Sequence, residues 1–329
     1  MSFERWQSMP NASLSSLAKD LRHSAMELAW SQWGALGASV TTTTTAQAIV
    51  DPEALILLSL MLRHHERRLT DVLESWMALN SSLISVQRIK NLRDGFPHLA
   101  SAELQWIAGV AVEQGKDARW ASLVSASAEP DIHPRRNKTR AVEARFRTAA
   151  TLMLQLRRGM GVGVKADILS CLIGVWNQGR EWASATMLAE ATGYTSAAVR
   201  RAADDLAAAR FIRALESVES STASQRMYTA ELPGWKSLLQ VGEVGLKWRW
   251  WAERTAFVAD LLTQEETVRD RAVSRYAYET LARELIERHR DTLTRDRLVN
   301  PSEFAQVTDW PALLETSVGA MRVWMAASV

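Results

Sequence analysis

The chain has 329 residues, of which 47% are hydrophobic and 23% charged, and its formal net charge is +2. That length leaves room for two or three domains, and that composition excludes a disordered or fibrous chain. The near balance of charge excludes a general electrostatic pull toward nucleic acid, so any such attraction has to come from local patches.

Leu14 to Trp33 places Leu14, Leu17, Leu21, Leu28 and Trp33 at spacings that predict an amphipathic helix, loosened afterwards by Gly34 and Gly37. Val40 to Thr45 is β-branched and fits either a short strand or a linker. Asp51-Pro52-Glu53 is a helix start, with Asp as N-cap and Pro in the first helical position. Ala54 to Leu62 is nearly all apolar, which predicts a helix buried on most sides. A further helix is expected from Arg67 to Asn80, and a third from Ser81 or Ser82 through Ile84, Val86, Ile89 and Leu92 to the stop at Gly95-Phe96-Pro97. Gln87, Arg88 and Lys90 are read as outward-facing. The pattern fits a plain three-helix bundle more readily than a second DNA-reading unit. Ala102 to Val112 and Ala118 to Ala126 add short helices.

Composition shifts at Glu129-Pro130-Asp131-Ile132-His133-Pro134, where two prolines discourage regular structure. Arg135, Arg136, Lys138, Arg140, Arg145 and Arg147 follow with only Glu143 opposing them. This stretch is either a solvated junction or a basic arm that lies along phosphates or enters a minor groove. Ala141 to Arg158 is helical in pattern, and Gly159 to Gly163 is a flexible link that lacks the Lys-Ser/Thr ending of a phosphate loop.

Val164 to Leu232 is the most informative stretch. Ile168, Leu169, Leu172, Ile173 and Trp176 give one apolar helical face, which ends before Gly179. Ser184 is a plausible N-cap for a short helix that stops at Thr192-Gly193. Thr195 or Ser196 caps the next, which runs to about Arg210. There Val199, Ala202, Ala203 and Leu206 point inward, while Ser196, Ala197, Arg200, Arg201 and Asp204 lie on the other side. Phe211 to Glu216 and Arg226 to Ala230 read as two strands around a Ser/Thr-rich tip. A short helix, a glycine turn and a helix with small and basic outward residues is the layout of a major-groove reader.

On the residues Leu188-Ala189-Glu190-Ala191-Thr192-Gly193-Tyr194, Val199-Arg200-Arg201, Leu206 and Phe211-Ile212-Arg213, this stretch resembles the winged helix-turn-helix of MarR-type bacterial regulators. The resemblance covers roughly a fifth of the chain, and it implies a fold more strongly than a function. The wider layout is similar to that of regulators accompanying nucleotidyltransferase toxins.

Downstream, Trp235 to Gln240 reads as a short helix and Leu246 to Leu262 as a long one. The latter carries Lys247-Trp248-Arg249-Trp250-Trp251. Interleaved aromatics and cations stack on bases or anchor protein interfaces. Trp248, Trp250 and Trp251 are therefore the candidate partner surface, with the core expected to claim two of the three. Glu265 to Arg290 reads as one charged helix and Leu313 to Trp324 as the last. The 14 tryptophans suit gaps between angled helices.

The six histidines show no His-x-x-x-His spacing, and the single cysteine, Cys171, permits neither a disulfide nor a Cys-x-x-Cys site. Cys171 falls on an apolar helix face and reads as a small core residue rather than a redox sensor. No nucleophile elbow, Walker loop or dinucleotide fingerprint occurs. The expectation is a protein that is not an enzyme and has no cofactor or metal. Met1 to Pro10 is polar and no apolar run reaches a membrane span, so a cytoplasmic location and no membrane partner are expected.

The expected fold is mainly α, with helical arms around a central winged helix-turn-helix and a small β-hairpin wing. Its divisions are 1–128, 129–163, 164–232 and 233–329. The expected function is sequence-specific transcriptional regulation on double-stranded DNA as a homodimer. Helix 196–210 would enter the major groove, Ser184, Thr195 and Ser196 would contact the backbone, and the wing, 217–226, would touch it through Arg226. An antitoxin or assembly module that clamps a protein partner is the alternative. A small-molecule sensor with a Trp-rich pocket is compatible with the first.

Overall fold

In the computed structural model the described residues are 9–39, 46–96, 99, 101–124, 142–146, 148–176, 178–216, 226–231, 234–235, 247–269, 274–305 and 307–329. The first helix, α1 (Met9–Leu36), extends beyond its expected ends. Asp51 sets the start of α2 (Pro52–Leu62): its carboxylate accepts the Ala54 amide at 3.1 Å, and Pro52 occupies the first turn. Every residue of α2 except Met61 is buried. α3 (Arg67–Asn80) follows as expected, but α4 (Val86–Arg93) begins later than Ser81 or Ser82. A 3-10 turn takes Ser81–Leu83, and Ser85 is the cap, accepting the Arg88 amide at 3.2 Å. α5 (Ser101–Glu113) leads into a 3-10 segment at Ala118–Leu123.

The helix expected from Ala141 is shorter. Residues 142–146 take no regular form, Ala149–Thr151 is a 3-10 turn, and α6 spans Leu152–Met160. Gly159 and Met160 thus belong to a helix, leaving Gly161–Gly163 as the link to α7 (Val164–Trp176). Strand β1 (Ala183–Ser184), α8 (Ala185–Thr192), α9 (Ser196–Ala208), β2 (Arg213–Glu216) and β3 (Arg226–Thr229) come next. The strands form a small antiparallel sheet in the order β1-β3-β2, with Ala183 opposite Tyr228 and Ala214 opposite Tyr228 on the other edge. α10 (Trp251–Val268), α11 (Arg275–Arg288), α12 (Arg290–Thr294) and α13 (Trp310–Ala326) complete the chain.

Two expectations downstream need correction. The helix drawn from Leu246 starts at Trp251, because Trp250 has a left-handed φ of 56°. The charged helix drawn from Glu265 to Arg290 is really two pieces: α10 continues through Val268, and α11 begins afresh on the cap Ser274. The possible strand at Val40 to Thr45 and the short helix at 236–240 lie outside the described residues.

The protein is mainly helical with one small sheet. α1 packs on α2, α10 and α13, and α10 also touches α2 and α8. The first and last segments therefore share a core. Among the described residues no helix is long and apolar enough to cross a membrane.

Residues 46–50 and 247–250 run across α7 side by side. Ala48 bridges Lys247 in parallel, and the Ile49 amide donates to the Lys247 carbonyl at 3.2 Å. Gly174 makes this crossing possible. A Cβ there would stand 2.8 Å from the Trp248 nitrogen and 3.0 Å from Ile49 Cδ1. Gly174→Ala is therefore expected to destabilise the fold by about 1–3 kcal/mol despite better helix propensity. The midpoint of urea unfolding reads the effect, and a neutral or stabilising substitution would mean that the crossing is loose.

Candidate nucleic-acid interface

Local chemistry fixes the unit built from α8 and α9. Ser184 caps α8 by accepting the Met187 amide at 3.2 Å. Gly193 ends it in the left-handed conformation, with φ 72°. Thr195 then caps α9 by accepting the Ala198 amide at 3.3 Å. α9 is amphipathic: Val199, Ala202, Ala203 and Leu206 are buried, whereas Ala197, Arg200 and Arg201 are exposed and Ser196 is half-buried. Neither Arg200 nor Arg201 has an ion-pair partner among the described residues. α7 packs behind both helices, and Cys171 is buried on it, with burial pushing its thiol pKa up.

Asp204 and Arg226 do not stand apart as two contacts. Arg226 Nη1 lies 2.7 Å from Asp204 Oδ1, and the Tyr228 hydroxyl donates to the same oxygen at 2.9 Å. Burial first, and then this bond to a carboxylate, push the Tyr228 hydroxyl up to about 12. The triad ties α9 to β3 and fixes how the sheet sits against the helix. Arg135, Arg136, Lys138 and Arg140, and the tip 217–225, lie outside the described residues.

The three tryptophans expected at a partner surface are buried. Trp248, Trp250 and Trp251 are 0%, 2% and 3% exposed, so all three belong to the chain's own interior. Trp248 sits over Gly174, and its carbonyl accepts Gln178 Nε2 at 2.5 Å. Arg295 covers the ring of Trp250 at 4.2 Å. Trp251 donates its indole N–H to the Ile49 carbonyl at 2.7 Å and meets Trp324 edge-on. Residues 248–250 are not helical, and the left-handed turn at Trp250 redirects the chain as it enters α10.

The turn between α8 and α9 is held from behind by a cluster of charge that sequence reading missed. Arg88, read as outward-facing, is completely buried. Its Nε donates to the Thr192 carbonyl at 2.6 Å, and its Nη1 to Asp51 Oδ1 and Glu53 Oε2, each at 2.6 Å. Arg157, also buried, grips Asp167 at 2.7 and 2.9 Å and Glu53 at 2.6 and 2.9 Å. The Tyr194 hydroxyl donates to Asp167 Oδ2 at 2.8 Å. Asn91 Nδ2 donates to the Gly193 carbonyl at 2.9 Å, and Leu92 lies where any Cβ on Gly193 would go. Burial by itself raises the Glu53 carboxyl, but the Arg157 and Arg88 guanidinium groups beside it hold it below its ordinary value.

Two signals in the sequence pointed to this cluster. Glu53 and Asp167 each stand in the first turn of a largely apolar helix, and a carboxylate that such a helix carries into the core has to find a cation. No three His, Cys, Asp or Glu side chains among the described residues are gathered as a metal site would need. In comparisons with known proteins, no family model matches the chain, nor does any curated protein or solved structure.

Proposed function

We propose that residues 164–232 form a winged helix-turn-helix of the MarR-type kind and that the chain is a sequence-specific DNA-binding regulator. The observation that carries this reading is the outer face of α9. There Ala197, Arg200 and Arg201 are exposed and Ser196 half-buried beyond a capped N-terminus. Small residues let a helix backbone approach a groove, and guanidinium groups pair with guanine O6 and N7 or with phosphate. The order helix, strand, helix, helix, strand, strand, with the first strand paired to the last, supports the same reading. In it Thr195 and Ser196 lie at the phosphate backbone, where the helix dipole favours anions. Arg226 approaches the neighbouring backbone only while it shares its charge with Asp204. Two half-sites read by a homodimer, in the cytoplasm, complete the proposal.

Selection from a random duplex pool should enrich one sequence. Its binding should weaken with salt at a log-log slope of about 0.9 per neutralised phosphate. A pool that stays random, or a flat salt response, would remove DNA from the account.

One observation favours a protein partner as a second reading. Phe211 and Leu215 are 46% and 52% exposed beside α9, with Phe211 stacked on Trp235. Apolar side chains at the edge strand β2 suit a protein contact better than a phosphate. Light scattering of the purified chain with and without duplex separates the two.

A further inference from the structure

An open cleft of about 700 Å³ lies between the loop after α7, the approach to α10, the turn after α12 and the last turns of α13. Its wall carries five basic side chains, Arg180, Lys247, Arg249, Arg254 and Arg297, against one carboxylate, Asp296. The last turns of α13 add Ala320, Val323, Trp324 and Ala327, with Val323 71% exposed, and the Ala327 carbonyl accepts Arg249 Nη2 at 2.5 Å.

Arg254 is the member that singles out this cleft. Its side chain is 3% exposed. Yet its best acceptors are distant: Asp296 Oδ2 at 3.3 Å and the carbonyls of Arg249 and Arg295, each at 3.4 Å. Its guanidinium lies over the Trp324 ring at 5.2 Å, but its Nε, like that of Arg249, finds no acceptor among the described residues. Arg88, equally buried, shows what a satisfied guanidinium looks like in this protein, with three acceptors at 2.6 Å. Burying a cation without full pairing is costly, and burial draws the Arg254 pKa down to about 10 although Asp296 opposes it. The backbone is strained at the same place. Trp250, Asp296 and Arg297 take φ values of 56°, 53° and 55°, a region that non-glycine residues occupy where surrounding structure forces them.

We propose that this cleft binds a small phosphorylated molecule, with its phosphate on Arg254 and Arg249 and its less polar body against Ala320 and Val323. Lys247, Arg297 and Arg180, the last 3.8 Å from Asp296 Oδ1, line the same cleft. The surplus of cations over Asp296 suits the double charge of a phosphate better than the single charge of a carboxylate, and planar guanidinium forks match its oxygens. The volume lies within the ~300–1,000 Å³ usual for small-molecule sites. A duplex backbone reaches only exposed cations, whereas Arg254 is inside. Arg180 also touches Met187 Sδ on α8 at 3.4 Å, so the cleft borders the proposed reader without depending on its being one.

Calorimetry on the full chain at an ionic strength of about 0.15 M tests this directly. The probes are inorganic pyrophosphate, adenosine triphosphate and, as the uncharged comparison, adenosine. The two phosphates should bind saturably at one site, with Kd below about 1 mM, and adenosine at least about tenfold more weakly. The double variant Lys247→Glu, Arg297→Glu alters only exposed side chains and should lower phosphate affinity about tenfold or more. Arg283→Glu, exposed on α11, should leave it unchanged. The proposal is overturned if neither phosphate saturates, if the double variant binds like the parent, or if Arg283→Glu weakens binding equally. It is also overturned if duplex DNA displaces adenosine triphosphate and itself requires Lys247 and Arg297, since the cleft would then serve nucleic acid. Failure of Arg200 and Arg201 variants to affect duplex binding would instead count against the reader and leave this site standing.

Discussion

Replacing Arg157 by Ala is expected to lower the unfolding free energy by about 3–5 kcal/mol, among the largest losses a single substitution produces. Arg157 is 2% exposed and lies between Glu53 and Asp167, making paired contacts to each. Without it Arg88, already paired with Asp51 and Glu53, is the one arginine of the cluster left to three buried carboxylates, and Asp167 keeps the Tyr194 hydroxyl but loses its bonded cation. The loss comes from that stranded charge and not from the net worth of the pair, because the desolvation of a buried ion pair offsets most of its attraction. Arg158, the next residue, is exposed, and its replacement by Ala should change stability by less than about 0.5 kcal/mol. Guanidinium unfolding of the two variants side by side makes the comparison. Equal midpoints would mean that water reaches the cluster and screens it.

Replacing both Arg200 and Arg201 by Ala is expected to weaken binding to a selected duplex by about 1–3 kcal/mol for each arginine that pairs with a base. Where either arginine meets phosphate instead, the weakening is spread over all sequences, and the magnitude of the salt slope falls by about 1 per phosphate. The fold should be untouched, since both side chains are exposed and neither holds an ion pair to another described residue. Binding by electrophoretic shift at two salt concentrations, with unfolding measured in parallel, separates the outcomes. Undiminished affinity in a folded double variant would take α9 out of any DNA interface.

Local chemistry made much of this fold legible. Asp51, Ser184 and Thr195 each precede a helix and each cap it, and Gly193 takes the left-handed turn that its position asked for. These features act over three or four residues, within reach of a sequence pattern. Arg88 was not legible, because its partners Asp51 and Glu53 are 37 and 35 positions away and Thr192 is 104. Helical spacing assigns a polar residue to the outside unless something remote supplies a counter-charge, and periodicity carries no information about that. The tryptophans at 248, 250 and 251 failed for another reason. An assumed helix spread them around a cylinder, whereas the helix starts only at Trp251, after a left-handed residue at Trp250, and all three rings are buried. Of the face assigned to the outside of α9, Ala197, Arg200 and Arg201 are exposed and Ser196 and Asp204 half-buried; the bond between Asp204 and Arg226 escapes helical spacing, since it joins a helix to a strand across residues 217–225.

Glu53, Arg157 and Asp167 also bear on whether the stretch from 164 to 232 is portable. Cut out alone, it would keep Asp167 and Tyr194 but leave behind the arginine that neutralises the one and the serine that neighbours the other. Its turn would lose the guanidinium that holds the Thr192 carbonyl. Swapping this unit into another protein therefore means carrying α2, α4 and α6 along with it. A charge removed from any one of the four segments strands its partner in another.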